Sequence, residues 1–271
     1  MFSFVYVHNL SPFLFQVHVL GQTLGVRWYG LAYVLGLCCA FLAFRHAAQR
    51  GYLPGLDDGA QQQMMLGIVA GVMGGGRLGF VLQHPARLSL DPLFFFRIWE
   101  GGMAFFGGLA GVILAMLWTA RRHQISFWAL ADVATFPAAF GLGVGRLANF
   151  VNGELWGRPT ASTWGVIFPR ADLLPRHPSQ LYEAASHFLL LGLLLWAWRR
   201  HPTGVRARPG WLACLFLAGY GALRFLTDFY RDDDTYFGPF SSGQWASLLV
   251  MALGLWLMSR PRTKPSSTAS S

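Results

Sequence analysis

Seven apolar stretches, most of them close to the length that crosses a lipid bilayer, dominate this 271-residue chain. A membrane-spanning helix needs ~20 consecutive apolar residues. Hydrophobic residues make up 54% of the sequence and charged residues only 12%. We therefore predict an all-α, polytopic membrane protein with about seven transmembrane helices. The predicted spans lie at residues 28–44, 64–82, 103–120, 127–148, 186–198, 211–229 and 244–259.

The spans leave little sequence for a separate soluble domain, so residues 1–259 are expected to form a single integral membrane domain. The tail from 260 to 271 contains PSSTASS and is expected to be disordered on the cytoplasmic side. Residues 1–26 alternate in FQVHVLGQT and are expected to lie on the surface or in the membrane interface. Gly107 and Gly111, spaced as small-xxx-small in the third span, predict close approach of two helix backbones.

Basic residues orient the predicted helices, because Lys and Arg in short loops are retained in the cytoplasm. Loops one-to-two, three-to-four and five-to-six, together with the tail, carry eleven Lys and Arg residues against two acids, Asp57 and Asp58. The opposite loops mix both signs, and Glu183 and Arg231 are placed there. The pattern predicts an external N-terminus and a cytoplasmic C-terminus. The net charge of +9 fits anionic lipid better than nucleic acid.

Three arginines lie inside predicted spans, namely Arg77, Arg146 and Arg224. An arginine in the bilayer core costs ~2.5–3.5 kcal/mol on insertion scales, so it is by default a candidate for a functional site. The predicted orientation brings all three to the outer half of the bilayer, where planar guanidinium groups suit the phosphate of an anionic phospholipid. The alternative is that each arginine pairs with a carboxylate for structural reasons, as Arg224 can with Asp228 one helical turn on.

Polar residues also crowd the end of span four, in the motif GRLANFVNGELWGR at residues 145–158. This motif closely resembles the signature of bacterial prolipoprotein diacylglyceryl transferases. Further segments agree in the same order along the chain, which makes the resemblance specific and extends it over almost the whole sequence. They are RWYG (27–30), GGRLGFVL (75–82), WEGGMAFFGG (99–108), PRHPSQLYE (175–183), GYGALRFLTDFYR (219–231) and SGQ (242–244).

The resemblance implies a transferase that moves the diacylglyceryl group of phosphatidylglycerol onto the lipobox cysteine thiol of a preprolipoprotein. The reaction forms a thioether and releases glycerol phosphate. The implied partners are phosphatidylglycerol, preprolipoprotein signal peptides and membrane lipids, without nucleic acid, a cofactor or a metal. The implied location is the bacterial plasma (inner) membrane, with several passes and an active site toward the outer leaflet.

Candidate site residues follow from the spans and from the matched motifs. Arg146 matches the family arginine associated with phosphatidylglycerol binding, Arg224 the second essential arginine, and Tyr29 the tyrosine of the first span. Gly145 suits backbone approach better than chemistry. We predict catalytic roles for Arg146, Arg224, Glu154, Asn149, Tyr29 and His177, and substrate binding by Arg146, Arg224, Arg77, Asn152 and Gly145.

Phe106 departs from the family pattern, which usually has at this position a histidine that has been discussed as the acceptor of the thiol proton. Phenylalanine cannot accept a proton, so three possibilities stay open: another base, no dedicated base, or a catalytically impaired protein. Glu154 and His177 are the remaining candidates on the outer side, and a thiol with a pKa of ~8.5 already holds a few per cent of thiolate. The second hypothesis is an impaired relative that binds or transports anionic lipid.

Overall fold

The computed structural model describes residues 5–19, 22–97, 101–200, 208–232 and 235–260, and it is mostly helical there. Within these ranges seven helices of 18 to 26 residues occur, and five of them, those that begin at Trp28, Asp58, Phe127, Ser179 and Ser242, are long and apolar enough to cross a membrane. The seven are α1 (Trp28–Gln49), α2 (Asp58–Leu82), α4 (Phe105–Arg122), α5 (Phe127–Asn152), α6 (Ser179–Arg200), α7 (Trp211–Asp228) and α8 (Ser242–Ser259). A short helix α3 (Pro85–Leu90) and a 3-10 turn (Pro92–Phe96) follow α2.

Short strands supplement the helices, which the all-α expectation did not include. Strands β2 (Phe13–Val19) and β3 (Gln22–Arg27) pair antiparallel, so the alternating N-terminal segment forms a hairpin with exposed apolar side chains such as Phe15 and Val17. A small sheet joins β1 (Tyr6–Val7), β4 (Val166–Ile167) and β5 (Pro175–Arg176) in that order. A last hairpin pairs β6 (Tyr236–Phe237) with β7 (Phe240–Ser241) just before α8. The predicted tail beyond residue 260, and Asp233 and Asp234, lie outside the described residues.

The described chain divides into two compact units. The second unit comprises Phe41–Ala131, and the first takes the described residues up to Ala40 and from Asp132 onward. In the second unit α2 packs along α4 through facing glycines. A Cβ on Gly107 would overlap the Gly75 carbonyl, and one on Gly111 would overlap the Gly71 carbonyl. The predicted close approach at Gly107 and Gly111 is confirmed, because any side chain there would force the two backbones apart.

In the first unit α7 packs along α8 and α6 packs against α7. Asp132, fully buried in α5, accepts hydrogen bonds from the backbone amides of Gly210 (2.6 Å) and Ala213 (2.9 Å) at the start of α7. The carboxylate thus satisfies amides that have no partner within the helix and lies at its positive end. Ser241 and Gln244 form a reciprocal capping box at the start of α8.

Helix α6 corrects one boundary that matters for the site. The apolar run predicted a span from residue 186, and Glu183 was placed in an outer loop, whereas the helix begins at Ser179. Glu183 therefore lies one turn inside α6, and its side chain is only 1% exposed. The predicted start of α6 was wrong because a span predicted from hydropathy stops at the first polar residues. The helix itself continues through them, since their side chains are buried by pairing with other residues.

Candidate functional site

Five ionisable side chains form a cluster in the first unit. Glu183 of α6 is its centre: its carboxylate lies 2.7 Å from Arg146 Nε, 2.9 Å from Arg231 Nη1 and 3.7 Å from Arg224 Nη1. Asp228 lies 2.7 Å from Arg224 Nη1 and 3.9 Å from Arg231 Nε. We call Arg146, Arg224, Arg231, Glu183 and Asp228 the arginine cluster.

The two carboxylates of the arginine cluster are buried, whereas the arginines keep some exposure. The side chains of Glu183 and Asp228 are 1% and 0% exposed, and those of Arg146 and Arg224 are 20% and 14% exposed. Asp228 also accepts a short hydrogen bond from the Ser241 hydroxyl. Buried carboxylates are stable only when paired and hydrogen-bonded. The sequence alternative that Arg224 pairs with Asp228 is therefore confirmed, and pairing and ligand binding are not mutually exclusive.

The guanidinium groups of Arg146 and Arg224 retain hydrogen-bonding capacity. Their 2.7 Å contacts with Glu183 and Asp228 are ion pairs whose N–H groups are not aligned for a hydrogen bond. Arg146 Nη1 makes one long hydrogen bond, 3.5 Å to Asn149 Oδ1, and the Nη2 groups of both arginines donate no hydrogen bond within the part of the chain that is described. Such N–H groups can still engage phosphate oxygens.

Glu154 is held by the two asparagines of its motif at the end of α5. Asn149 Nδ2 donates to Glu154 Oε1 at 2.7 Å, and Asn152 Nδ2 donates to the same oxygen at 3.2 Å. The chain turns sharply here, because Gly153 has a φ of 63°, which glycine adopts without steric cost. Gln180 Nε2 then donates to the Glu154 carbonyl at 2.7 Å, which ties the motif to α6. Since Asn149 also contacts Arg146, the motif adjoins the arginine cluster.

Tyr29 lies near charged residues of the site, whereas Gly145 borders open space. Tyr29, in the first turn of α1, is 39% exposed, packs edge-on against Tyr33 and lies within electrostatic reach of Glu154 and Arg146. Gly145 lies one residue before Arg146, and a Cβ there would meet no atom within 4 Å. Gly145 therefore borders open space and makes no close backbone approach, contrary to the structural role considered for it.

His177 lies in an aromatic group outside the membrane-spanning helices. Its Nδ1 is 3.2 Å from the Tyr182 hydroxyl, and its ring packs edge-on against Tyr182 and Tyr230. Burial lowers the pKa of His177 below its ordinary value, so the imidazole is neutral near neutral pH. A neutral imidazole can accept a proton. Within the described residues no side-chain hydrogen bond, ion pair or ring contact joins His177 to Glu154 or to the arginine cluster, and its role as base stays a prediction.

Gly157 connects the His177 loop to Arg231. Its amide donates to the His177 carbonyl at 2.9 Å, and the neighbouring Arg158 amide donates to the Tyr230 carbonyl at 3.0 Å. Arg176 Nη1 donates to the Gly157 carbonyl at 3.0 Å. A Cβ on Gly157 would overlap the Tyr230 carbonyl, so only glycine fits there. This frame fixes the chain immediately before Arg231, the third arginine of the cluster.

Arg77 lies in the second unit, and its guanidinium group donates hydrogen bonds to backbone carbonyls. It is 2% exposed, and all five of its N–H donors have acceptors. Nε donates to Phe95 (2.9 Å), Nη1 to Gly101 (2.6 Å) and Gly102 (3.3 Å), and Nη2 to Phe94 and to Arg97 (2.9 Å). Substrate binding by Arg77 stays a prediction, and the structure provides another use for all of its donors.

The geometry of the first unit thus brings together Arg146, Asn149, Asn152, Glu154 and Arg224, with Tyr29 nearby. A model of the prolipoprotein diacylglyceryl transferase family matches residues 15–260. The chain belongs to this family.

Relatives similar over nearly their whole length carry the name phosphatidylglycerol–prolipoprotein diacylglyceryl transferase. The protein of Ruegeria pomeroyi is 43% identical over 289 residues, covering 95% of this chain and 97% of the relative. That of Geobacter sulfurreducens is 46% identical over 267 residues, covering 95% and 98%. That of Vibrio vulnificus is 44% identical over 257 residues, covering 92% and 91%. The resemblance inferred from the motifs is therefore confirmed.

Sequence reasoning on this member of the diacylglyceryl transferase family missed Glu183, Arg231 and Gly157 as parts of the site. Glu183 and Arg231 close two of the matched segments, PRHPSQLYE and GYGALRFLTDFYR, so an available signal was their position at the end of a family motif. Phe106, the departure from the family pattern, lies in the first turn of α4 in the second unit and is 76% exposed.

Proposed function

We propose that this protein transfers the diacylglyceryl group of phosphatidylglycerol to the lipobox cysteine of preprolipoproteins, the first step of lipoprotein maturation. The observation that carries the proposal is the pair Arg146 and Arg224, both partly exposed and both with Nη2 groups that donate no hydrogen bond within the described chain. Membership of the family supports the same activity. The phosphate of the lipid is the natural acceptor for two guanidinium groups held side by side.

The reaction needs positive charge where the phosphate leaves. The cysteine thiolate attacks C3 of the diacylglyceryl group, an S–C bond forms, the C–O bond to phosphate breaks, and the electron pair stays on the phosphate oxygen. The phosphodiester, with one negative charge, becomes glycerol phosphate, with up to two. Arg146 and Arg224 contact the phosphate in this proposal and stabilise the charge that develops on the leaving oxygen.

The thiol proton must also be removed, and two groups in the first unit are candidates to accept it. Glu154 presents a carboxylate fixed by Asn149 and Asn152, close to Arg146. His177 presents an imidazole whose pKa burial has lowered, which favours its neutral, proton-accepting form. Tyr29 lies within electrostatic reach of Glu154 and Arg146, and in this proposal its hydroxyl is a further polar group of the site.

The proposed setting is the bacterial inner membrane, with residues 1–259 as one catalytic domain. All seven long helices cross the bilayer in this proposal, the N-terminus is outside, and the C-terminus is cytoplasmic. The ends of α5 and α7 then place the arginine cluster toward the outer leaflet. Basic residues at the other side support this orientation, among them Arg121 and Arg122 in the last turn of α4 and Arg199 and Arg200 in that of α6.

Mass spectrometry tests the proposed function directly. A lipobox peptide is incubated with the purified full chain and phosphatidylglycerol vesicles, with Arg146→Ala and Phe106→His in parallel. We expect a diacylglyceryl mass shift with the wild type that is lost in Arg146→Ala, which would also show that histidine at position 106 is dispensable. A shift only with Phe106→His would identify an impaired lipid binder, and no shift with either protein would refute the proposed transfer.

A further inference from the structure

A cleft of about 300 Å³ lies between the start of α7 and the end of α8, in the first unit. Its lining combines two arginines, Arg208 and Arg260, with apolar side chains, among them Trp211 and Met258. Trp211 begins α7, and Arg224 lies about 20 Å further along this helix at a rise of 1.5 Å per residue. The cleft is therefore separate from the arginine cluster.

Both arginines of this cleft have N–H groups available to a ligand. Arg208 and Arg260 are exposed, and within the described residues neither side chain makes an ion pair or a hydrogen bond. The guanidinium carbon of Arg260 lies 4.4 Å from the centroid of the Trp256 ring, and this contact holds the side chain beside α8. Planar guanidinium groups suit an anion with several oxygens, such as phosphate.

A stripe of apolar side chains on α8 leads to Arg260. Leu249, Leu253 and Trp256 are 71%, 46% and 51% exposed. Their spacing of four and three residues places them on one face of the helix, and Arg260 follows four residues after Trp256. Trp211 and Trp256 lie at this end of α7 and α8, and tryptophan concentrates where a span meets the membrane–water interface. The cleft thus combines positive charge at the level of lipid headgroups with an apolar surface that faces acyl chains.

We propose that the cleft binds the headgroup of an anionic phospholipid from the cytoplasmic leaflet, with the lipid phosphate on Arg208 and Arg260. A cleft of this volume is at the small end of ligand sites, so it holds a headgroup while the acyl chains lie along the exposed stripe of α8. The cytoplasmic leaflet is rich in anionic lipids, which attract basic residues next to membrane spans. This second lipid site requires the proposed orientation of the helices but not the transfer reaction.

Native mass spectrometry of the full chain in detergent, titrated with dioleoyl phosphatidylglycerol and without acceptor peptide, counts the bound lipids. An arginine next to an anionic lipid contributes about fivefold in affinity, so Arg208→Gln/Arg260→Gln should bind one of these lipids about 25-fold more weakly. Arg121→Gln/Arg122→Gln is the matched control, because it removes the same charge from exposed arginines in the last turn of α4, and it should bind lipid as the wild type does. Ser259→Glu, which keeps both arginines and adds a carboxylate to the cleft, should weaken the same lipid.

Three further arms define the ligand and separate this site from that of the lipid donor. Phosphatidylcholine, which has no net charge, should not occupy the cleft, inorganic phosphate should not displace phosphatidylglycerol from it, and Arg146→Ala should leave this lipid bound. Equal binding by the wild type and Arg208→Gln/Arg260→Gln, an equal loss in the control pair, or occupancy by phosphatidylcholine would overturn the proposal. Displacement by inorganic phosphate would assign the cleft to a soluble phosphate compound, and loss of the same lipid in Arg146→Ala would assign that lipid to the donor site; either result also overturns it. Because the peptide is absent, these outcomes hold whether or not the protein transfers a diacylglyceryl group.

Discussion

Replacement of Arg77 by lysine tests whether this arginine holds the backbone together or binds substrate. The guanidinium donates to five carbonyl oxygens, those of Phe94, Phe95, Arg97, Gly101 and Gly102. Lysine has only three N–H donors, so at least two of these carbonyls would lose their partner. Each buried polar group left unsatisfied costs about 1–3 kcal/mol, so Arg77→Lys should lower the free energy of unfolding by about 2–6 kcal/mol.

The assay for Arg77→Lys is thermal unfolding of the purified protein in detergent, combined with the KM for phosphatidylglycerol. Since 1 kcal/mol shifts the Tm by about 2–4 °C in a protein of this size, we expect a decrease of at least about 4 °C. Arg97→Lys is the control, because an exposed pair with Asp91, 2.8 Å apart, is worth less than about 1 kcal/mol. An unchanged Tm with a raised KM would refute the structural role and make Arg77 a substrate-binding residue.

Three further predictions concern the first unit. Gly157→Ala should lower stability by about 1–3 kcal/mol, because its Cβ would overlap the Tyr230 carbonyl; an unchanged Tm would contradict this packing. Gly145→Ala should keep the wild-type Tm but reduce transfer to the lipobox peptide, because its methyl group enters open space beside Arg146; full activity would remove Gly145 from the site. Burial lowers the pKa of His177, so the unfolded chain binds this proton more readily and stability falls as pH decreases below about 6.5. The Tm of His177→Phe should therefore drop less than that of the wild type between about pH 7.5 and about pH 5.5, and equal drops would argue against the lowered pKa.

Hydropathy located the helices well, but it missed helix ends that are made of polar residues. The predicted start of the first span and the ends of α2 and α8 agree with the structure at residues 28, 82 and 259. Helix α6, in contrast, begins seven residues before its predicted span. Apolar side chains determine where a helix meets lipid, whereas the polar turn before Ser186 is stabilised by partners elsewhere in the chain, which a local average of hydropathy does not include.

The motif located the candidate site, but the pattern alone did not identify its centre. Arg146, Asn149 and Glu154 lie within one short segment, so their proximity follows from the turn at the end of α5. Glu183, in contrast, meets Arg231 across 48 residues of sequence. Such contacts depend on how α5, α6 and α7 pack, and neither charge spacing nor periodicity encodes that packing directly. The N-terminal hairpin was missed for a related reason, since its alternation was visible but its pairing partner was not considered.

The three arginines predicted to lie in the membrane show why the insertion penalty alone could not distinguish structural from functional residues. Arg77, Arg146 and Arg224 carry the same charge at comparable positions in apolar helices, so the same penalty applies to each. Their acceptors separate them: backbone carbonyls use every donor of Arg77, whereas Arg146 and Arg224 face carboxylates and have Nη2 groups that donate no hydrogen bond within the described chain. Backbone carbonyls accept hydrogen bonds from a guanidinium group but cannot neutralise its positive charge. Carboxylates neutralise that charge, and here they leave some of the guanidinium N–H groups without a hydrogen bond. An arginine that faces a carboxylate is suited to bind phosphate, because its remaining N–H donors can engage the phosphate oxygens while the carboxylate keeps the guanidinium paired.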